Sequence, residues 1–152
     1  MIECLSLEDQ VKLIKKKQIK IIEIIDFYLD RIERFNNSLN AIVNLKDFDE
    51  IREISRVKDE SLDSDLPLNG IPFAIKDIFN VVGFPTTEGL NINRDSLPTS
   101  NSIFVNRLQE KGGIIIGKTN TSELAIGSHT VNKIFGPTAN PYNYSLSAGG
   151  SS

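Results

Sequence analysis

Ser102-Ile103-Phe104-Val105-Asn106-Arg107-Leu108-Gln109-Glu110-Lys111 runs into Gly112-Gly113, then Ile114-Ile115-Ile116, then Gly117-Lys118-Thr119-Asn120. The first segment predicts a helix, and the glycine pair stops it. The isoleucine run is short, apolar and β-branched, which predicts a buried strand. Helix, turn, apolar strand and a glycine-containing loop at the strand's end are the elements of an α/β fold. In open α/β sheets ligands bind at the loops beyond the strands' carboxyl ends, so candidate chemistry is expected there. A second unit of this kind lies upstream. Asn69-Gly70 is a turn signal, and Phe73-Ala74-Ile75 predicts a brief strand buried on both faces, ending in Lys76-Asp77.

The region before Leu68 has a different texture. Ser6-Leu7-Glu8-Asp9 predicts a helix start, with Ser6 as N-cap and Asp9 reaching back, and that helix breaks near Lys17-Gln18. Ile21, Ile24, Ile25, Tyr28, Leu29, Ile32 and Phe35 recur at steps of three and four and predict one apolar stripe of a longer helix. Asn36-Asn37-Ser38 is expected to end it by turn chemistry, and Ala41-Ile42-Val43 reads as a short strand. Asp49 to Lys58 predicts another helix with Ile51, Ile54 and Val57 inward. Asp59 to Asp65 reads as an exposed loop. The division expected is a helical region over 1–66 and the start of an α/β core over 67–152.

Composition narrows the function classes. The chain has 152 residues, about one domain, with 39% hydrophobic and 24% charged residues and a net charge of −3. Apart from Lys15-Lys16-Lys17 the basic residues are scattered, so there is no basic stripe for nucleic acid. One cysteine, Cys4, and one histidine, His129, exclude an internal disulfide, a multi-cysteine metal site and a His-rich metal cluster. No basic segment followed by an apolar run opens the chain, and no apolar stretch approaches the ~20 residues that span a bilayer. A cytoplasmic protein without a metal or cofactor is expected.

Two places carry candidate chemistry. Lys76 ends an apolar run, and a lysine withdrawn from water is more readily neutral and can act as a general base. The bland alternative is an exposed Lys-Asp pair where a strand meets solvent. Gly149-Gly150-Ser151-Ser152 brings backbone N–H groups and two hydroxyls into one loop; the bland alternative is a flexible Gly/Ser segment. Gly112 to Thr119 formally fits a phosphate-binding loop, but its middle is an apolar strand, so it fails the test of context.

Read together, the motifs come in a fixed order. They are Leu68-Asn69-Gly70-Ile71-Pro72-Phe73-Ala74-Ile75-Lys76-Asp77, Gly83-Phe84-Pro85-Thr86-Thr87, Gly117-Lys118-Thr119-Asn120, Phe135-Gly136-Pro137-Thr138, and Asn140-Pro141-Tyr142 with Gly149-Gly150-Ser151-Ser152. This series resembles the amidase signature family of Ser–cisSer–Lys hydrolases, from about residue 5 onward. Leu39-Asn40-Ala41-Ile42-Val43 and the helices before it are similar to that family's opening. The fold implied is the N-terminal part of the amidase-signature α/β fold, a mixed sheet flanked by helices and incomplete here.

The resemblance implies the roles. Lys76 matches the unprotonated lysine, and Ser151 the serine that follows a cis peptide bond and relays a proton to a second, nucleophilic serine. Gly149, Gly150 and Ser152 match the loop that supports it. The activity implied is hydrolysis of a small-molecule carboxamide through a serine ester, with no cofactor, nucleic acid or membrane involved. The nucleophilic serine of the family lies further along than Ser152, in a loop that also shapes the oxyanion hole. On its own the chain is therefore expected to be inactive and poorly soluble, its strands having open edges. The remaining part of the domain could be a separate chain. Two alternatives stand beside the amidase: the A subunit of a glutamyl-tRNA(Gln) amidotransferase, and a non-catalytic remnant. Thr121-Ser122-Glu123-Leu124 resembles the general amidases more than the Met-Asp-Glu-Phe-like stretch of that subunit.

Overall fold

The computed structural model describes residues 2–61 and 65–151. Two helices open it. In α1 (Leu7–Lys15) the Ser6 hydroxyl accepts the Asp9 N–H at 3.1 Å and donates to the Asp9 carboxylate at 2.7 Å. Asp9 thus meets its cap at the hydroxyl. The longer α2 (Ile21–Leu39) buries Ile21, Ile24, Ile25 and Leu29 and runs four residues past Phe35. Asn36, Asn37 and Ser38 are helical, contrary to the turn expected there. The stop is Asn40, whose left-handed backbone (φ 52°, ψ 43°) ends the helix. Asn36 shapes the exit instead: its side-chain oxygen accepts the N–H of Ala41 and Ile42, and its amide donates to the Ile42 carbonyl.

Strand β1 (Ile42–Leu45) follows, then α3 (Phe48–Glu60), which packs on α2. The inner side of α3 is Ile51 and Ser55, both without exposure, while Val57 is 58% exposed. The expected inward position of Val57 is wrong, because the small Ser55, its hydroxyl bonded to the Ile51 carbonyl at 2.7 Å, takes the buried place four residues on. Asp59 is not part of a loop. It lies in the last turn of α3 and caps α2, accepting the N–H of Ile21 at 2.7 Å and of Ile22 at 3.1 Å.

The central sheet has the order β1-β3-β2, with β2 (Pro72–Lys76) parallel to β3 (Ile114–Thr119) and β1 antiparallel to it. Helix α4 (Ile103–Glu110) precedes β3, and Gly112 makes the turn between them. Its φ is +97°, and a Cβ there would lie 2.7 Å from Asn69 Cα, so only glycine serves. Successive residues of β3 feed opposite faces. Ile114 and Ile116 join the helices' isoleucines and Ile71, while Ile115 joins Ile75, Val81, Phe84 and Val105. The middle strand is thus buried on both sides. Strand β2 is only half-buried apart from Ile75, because in this sheet it has one neighbouring strand. The expectation of burial on both faces holds for β3 and not for β2.

A bulge re-phases β3. Phe73 pairs with Ile115 but Ala74 with Gly117, so one extra residue is absorbed and Lys118 pairs with Ile75. Beyond β3 the chain forms two small hairpins, β4 (Val131–Asn132) with β5 (Gly136–Pro137) and β6 (Ala139–Asn140) with β7 (Asn143–Ser147). They carry the chain back to the end of β2.

Candidate active site

Lys76 closes β2, and its Nζ lies 2.7 Å from Ser151 Oγ, seventy-five residues on. Both residues are half-buried. The serine is held by its surroundings rather than by its own chain. Thr121 Oγ1 donates to the Ser151 carbonyl at 3.1 Å, Gly150 N–H to the Ser128 carbonyl at 2.7 Å, and Thr130 Oγ1 to the Gly149 carbonyl at 2.8 Å. His129 and Gly149 form an isolated antiparallel bridge, and the Gly150–Ser151 peptide is cis. Gly150 is confined: a Cβ would lie 2.1 Å from the Gly127 carbonyl oxygen, whereas one on Gly149 would meet nothing within 4 Å. Ser152 lies outside the described residues.

Behind this pair sits a second, buried cluster. Asp77 and Lys118 are both without exposure and form an ion pair at 2.9 Å. Lys118 also donates to the Pro85 carbonyl at 3.0 Å and to Thr86 Oγ1 at 3.2 Å. The other carboxylate oxygen of Asp77 accepts from the Thr87 hydroxyl and N–H. Burial pushes the Lys118 ammonium below its usual range, and the Asp77 carboxylate opposes that shift. The lysine is therefore a strand residue with all its donors engaged, and Ile114–Thr119 is a strand, so the phosphate-loop pattern has no cradle here.

A third network ties the hairpins to β3. Asn132 donates to Asn120 Oδ1 at 2.7 Å and to the Thr121 carbonyl at 2.8 Å, and accepts the N–H of Ile134 and Phe135. Asn120 in turn donates to Thr138 Oγ1, whose hydroxyl donates to the Asn40 carbonyl. Thr121, the residue that reaches Ser151, is thereby fixed from both sides.

Of the residues singled out in the sequence, the structure brings Lys76, Gly150 and Ser151 together. Sequence reasoning missed Asp77, Lys118, Thr121, Thr130 and Asn132. A signal existed for one of these: a lysine within an otherwise apolar buried run needs a partner, and Asp77 was the acid beside the neighbouring strand's end. Among the described residues no group of three or more His, Cys, Asp or Glu side chains is placed to hold a metal.

The amidase family model matches residues 23–152, nearly the whole chain and all of this geometry. The chain belongs to the amidase family. It is 41% identical over 133 residues to an acylamidase of Rhodococcus erythropolis, which covers 86% of this chain and 28% of that protein. It is 34% identical over 140 residues to the A subunit of the glutamyl-tRNA(Gln) amidotransferase of Geotalea daltonii, covering 91% and 29%. Among solved structures, a bacterial aryl acylamidase of the amidase signature enzymes family superposes with a TM-score of 0.85 at 30% identity, over 97% of this chain and 31% of that one. A fatty acid amide hydrolase shares the fold, with a TM-score of 0.91 over 99% of this chain. The chain thus spans about three tenths of the length of the amidases it matches, and its mixed sheet with flanking helices is the corresponding part of their α/β fold.

Proposed function

We propose that this chain supplies the proton-handling part of an amide hydrolase, with Lys76 as general base and Ser151 as the relay. The observation that carries the reading is the 2.7 Å contact between Lys76 Nζ and Ser151 Oγ, in a loop tied down by hydrogen bonds at Gly149, Gly150 and Ser151. In the reaction a neutral Lys76 takes the Ser151 proton while Ser151 takes that of an attacking serine. That serine's oxygen bonds to the amide carbon, and the C–N bond breaks as the proton returns through Ser151 to the leaving nitrogen. Water then splits the ester along the same route, giving a carboxylic acid and ammonia or an amine.

On this reading the attacking serine and the oxyanion donors belong to sequence outside residues 1–152. These residues are the N-terminal part of one amidase domain: a largely helical region over 1–66, which lends strand β1 to the central sheet, and the start of the α/β catalytic core from 67. Gly149, Gly150 and Ser152 support the relay loop. The substrate is a small carboxamide, the remaining part of the domain is the partner, and the setting is the cytoplasm. A glutaminase of the amidotransferase type is a second reading, motivated by the 34% identity to the A subunit.

The experiment is to read the gene past the codon for Ser152, express what it encodes, and assay acylamides and glutamine. Lys76→Ala and Ser151→Ala should each lower kcat by about 10²–10⁴-fold. Residues 1–152 alone should resist serine-directed fluorophosphonate. Labelling of the isolated chain, or turnover that survives Lys76→Ala, would sink the reading. If no amide is hydrolysed by any product of the gene, the chain is a non-catalytic remnant.

A further inference from the structure

We propose that Lys118 is a positioning residue for the Lys76–Ser151 pair: it holds the Asp77 carboxylate on the far side of β2, leaving the Lys76 amine a hydroxyl and, among the described residues, no carboxylate as its partner. The proposal rests on the reading of Lys76 as general base.

Lys76 and Asp77 are adjacent in sequence, and successive side chains along a strand leave opposite faces. The bulge in β3 puts Lys118 opposite Ile75, on the face to which Asp77 also belongs two residues later. There the carboxylate is consumed. One oxygen takes Lys118 at 2.9 Å and the other takes Thr87. The backbone is pinned as well: Asp77 N–H donates to the Thr119 carbonyl at 3.0 Å, and its carbonyl accepts Glu88 N–H at 3.0 Å. Lys118 spends its three N–H donors on Asp77, Pro85 and Thr86, and the Asp77 carboxylate takes Lys118 and both Thr87 donors, so the buried charges are matched without Lys76.

Removing the Lys118 charge would leave a buried carboxylate without a counter-charge, a state proteins relieve by recruiting a cation or a proton. The next cation along the chain is Lys76. Drawn to Asp77, it would favour its ammonium form, and an ammonium cannot accept the Ser151 proton. The other charged or titratable side chains on the surrounding segments are Glu88, Glu123 and His129. Among the described residues none of them forms an ion pair, and the His129 ring is engaged with Ser147 Oγ at 3.0 Å.

The test reads Lys76 directly and needs no turnover. The full chain is acetylated with trace acetic anhydride between about pH 6 and 11, and the Lys76 peptide is quantified by mass spectrometry. In K118M the midpoint of Lys76 labelling should rise by about one pH unit, a tenfold loss of free amine at a given pH. In the double variant D77N/K118M it should return to the wild-type position. K118Q keeps hydrogen-bond donors and removes only the charge, so it decides the matter if K118M lacks a cooperative melt. A folded charge-deleted variant with a wild-type midpoint would overturn the proposal, as would a double variant still shifted like the single one. Loss of hydrolysis in K76A with labelling unmoved in K118M would sink this inference and leave the proposed function standing. Turnover that survives K76A would sink the proposed function and with it the positioning role, whatever the labelling shows.

Discussion

Gly150 and the carbonyl of Gly127 approach so closely that a methyl group on Gly150 would sit 2.1 Å from the Gly127 oxygen and 2.8 Å from His129 N. Both obstacles are backbone, so neither can swing away. Gly150→Ala must therefore push the Ser151 loop off the 127–130 segment, at about 1–3 kcal/mol for overpacking, and lengthen the contact to Lys76. Gly149→Ala meets open space and should leave the melting temperature within about 1 °C of wild type. Urea unfolding of the two variants checks this, and equal loss in both would contradict it.

Asn132 is the second fixed point. Its amide satisfies Asn120 and the Thr121 carbonyl, and its oxygen accepts two backbone N–H groups. Asn132→Asp keeps the shape but turns donors into acceptors facing two oxygens. Each buried group left unpaired costs about 1–3 kcal/mol, so the urea midpoint should fall, and by a similar amount in Asn132→Ala. A midpoint unchanged in both would show that the Thr121 anchor does not depend on this amide.

How much of this was legible in the sequence follows from where the signal lay. Lys76 and Ser151 stood at the ends of recognisable motifs, and the α2 stripe and the Gly112-Gly113 stop were periodicity and turn chemistry read one element at a time. The failures involve partners far apart in sequence. Asp59 looked like loop because its role is to cap α2, thirty-eight residues earlier. Ser55 displaced Val57 from the α3 interface because the packing of α2 on α3, and not hydrophobicity, chose the buried position. Lys118 was masked by its isoleucine neighbours, and only the bulge in β3 turns it toward Asp77.

Ser122 offers a test in the opposite direction. Its hydroxyl is buried, at 3% residue exposure, and has no hydrogen-bond partner among the described residues. A buried hydroxyl without a partner is a cost, so Ser122→Ala should hold or raise the melting temperature. Its neighbour Thr121 donates to the Ser151 carbonyl, and Thr121→Val, equal in shape, should lower stability by about 0.5–1.5 kcal/mol. Thermal melts of the two variants side by side decide it; a destabilised Ser122→Ala would mean that the hydroxyl has a partner after all.

The pH dependence of α1 can be predicted in sign. The hydrogen bond from the Ser6 hydroxyl holds the Asp9 carboxyl below its ordinary value of 3.8, with the charge of Lys12 adding to it. A carboxyl whose folded value is depressed is protonated first in the unfolded chain as pH falls. Its contribution is therefore fully present above about pH 4 and lost as pH drops through the folded value. Ser6→Ala removes the bond and the cap, so the melting-temperature gap between wild type and Ser6→Ala should be constant from neutral pH to about 4 and narrow below it. The gap should not close, because the Asp9 N–H to Ser6 cap does not titrate. In an Asp9→Asn background the same comparison should be flat through this range. A gap that widens toward low pH would reverse the sign and remove Asp9 from the account of how α1 is started.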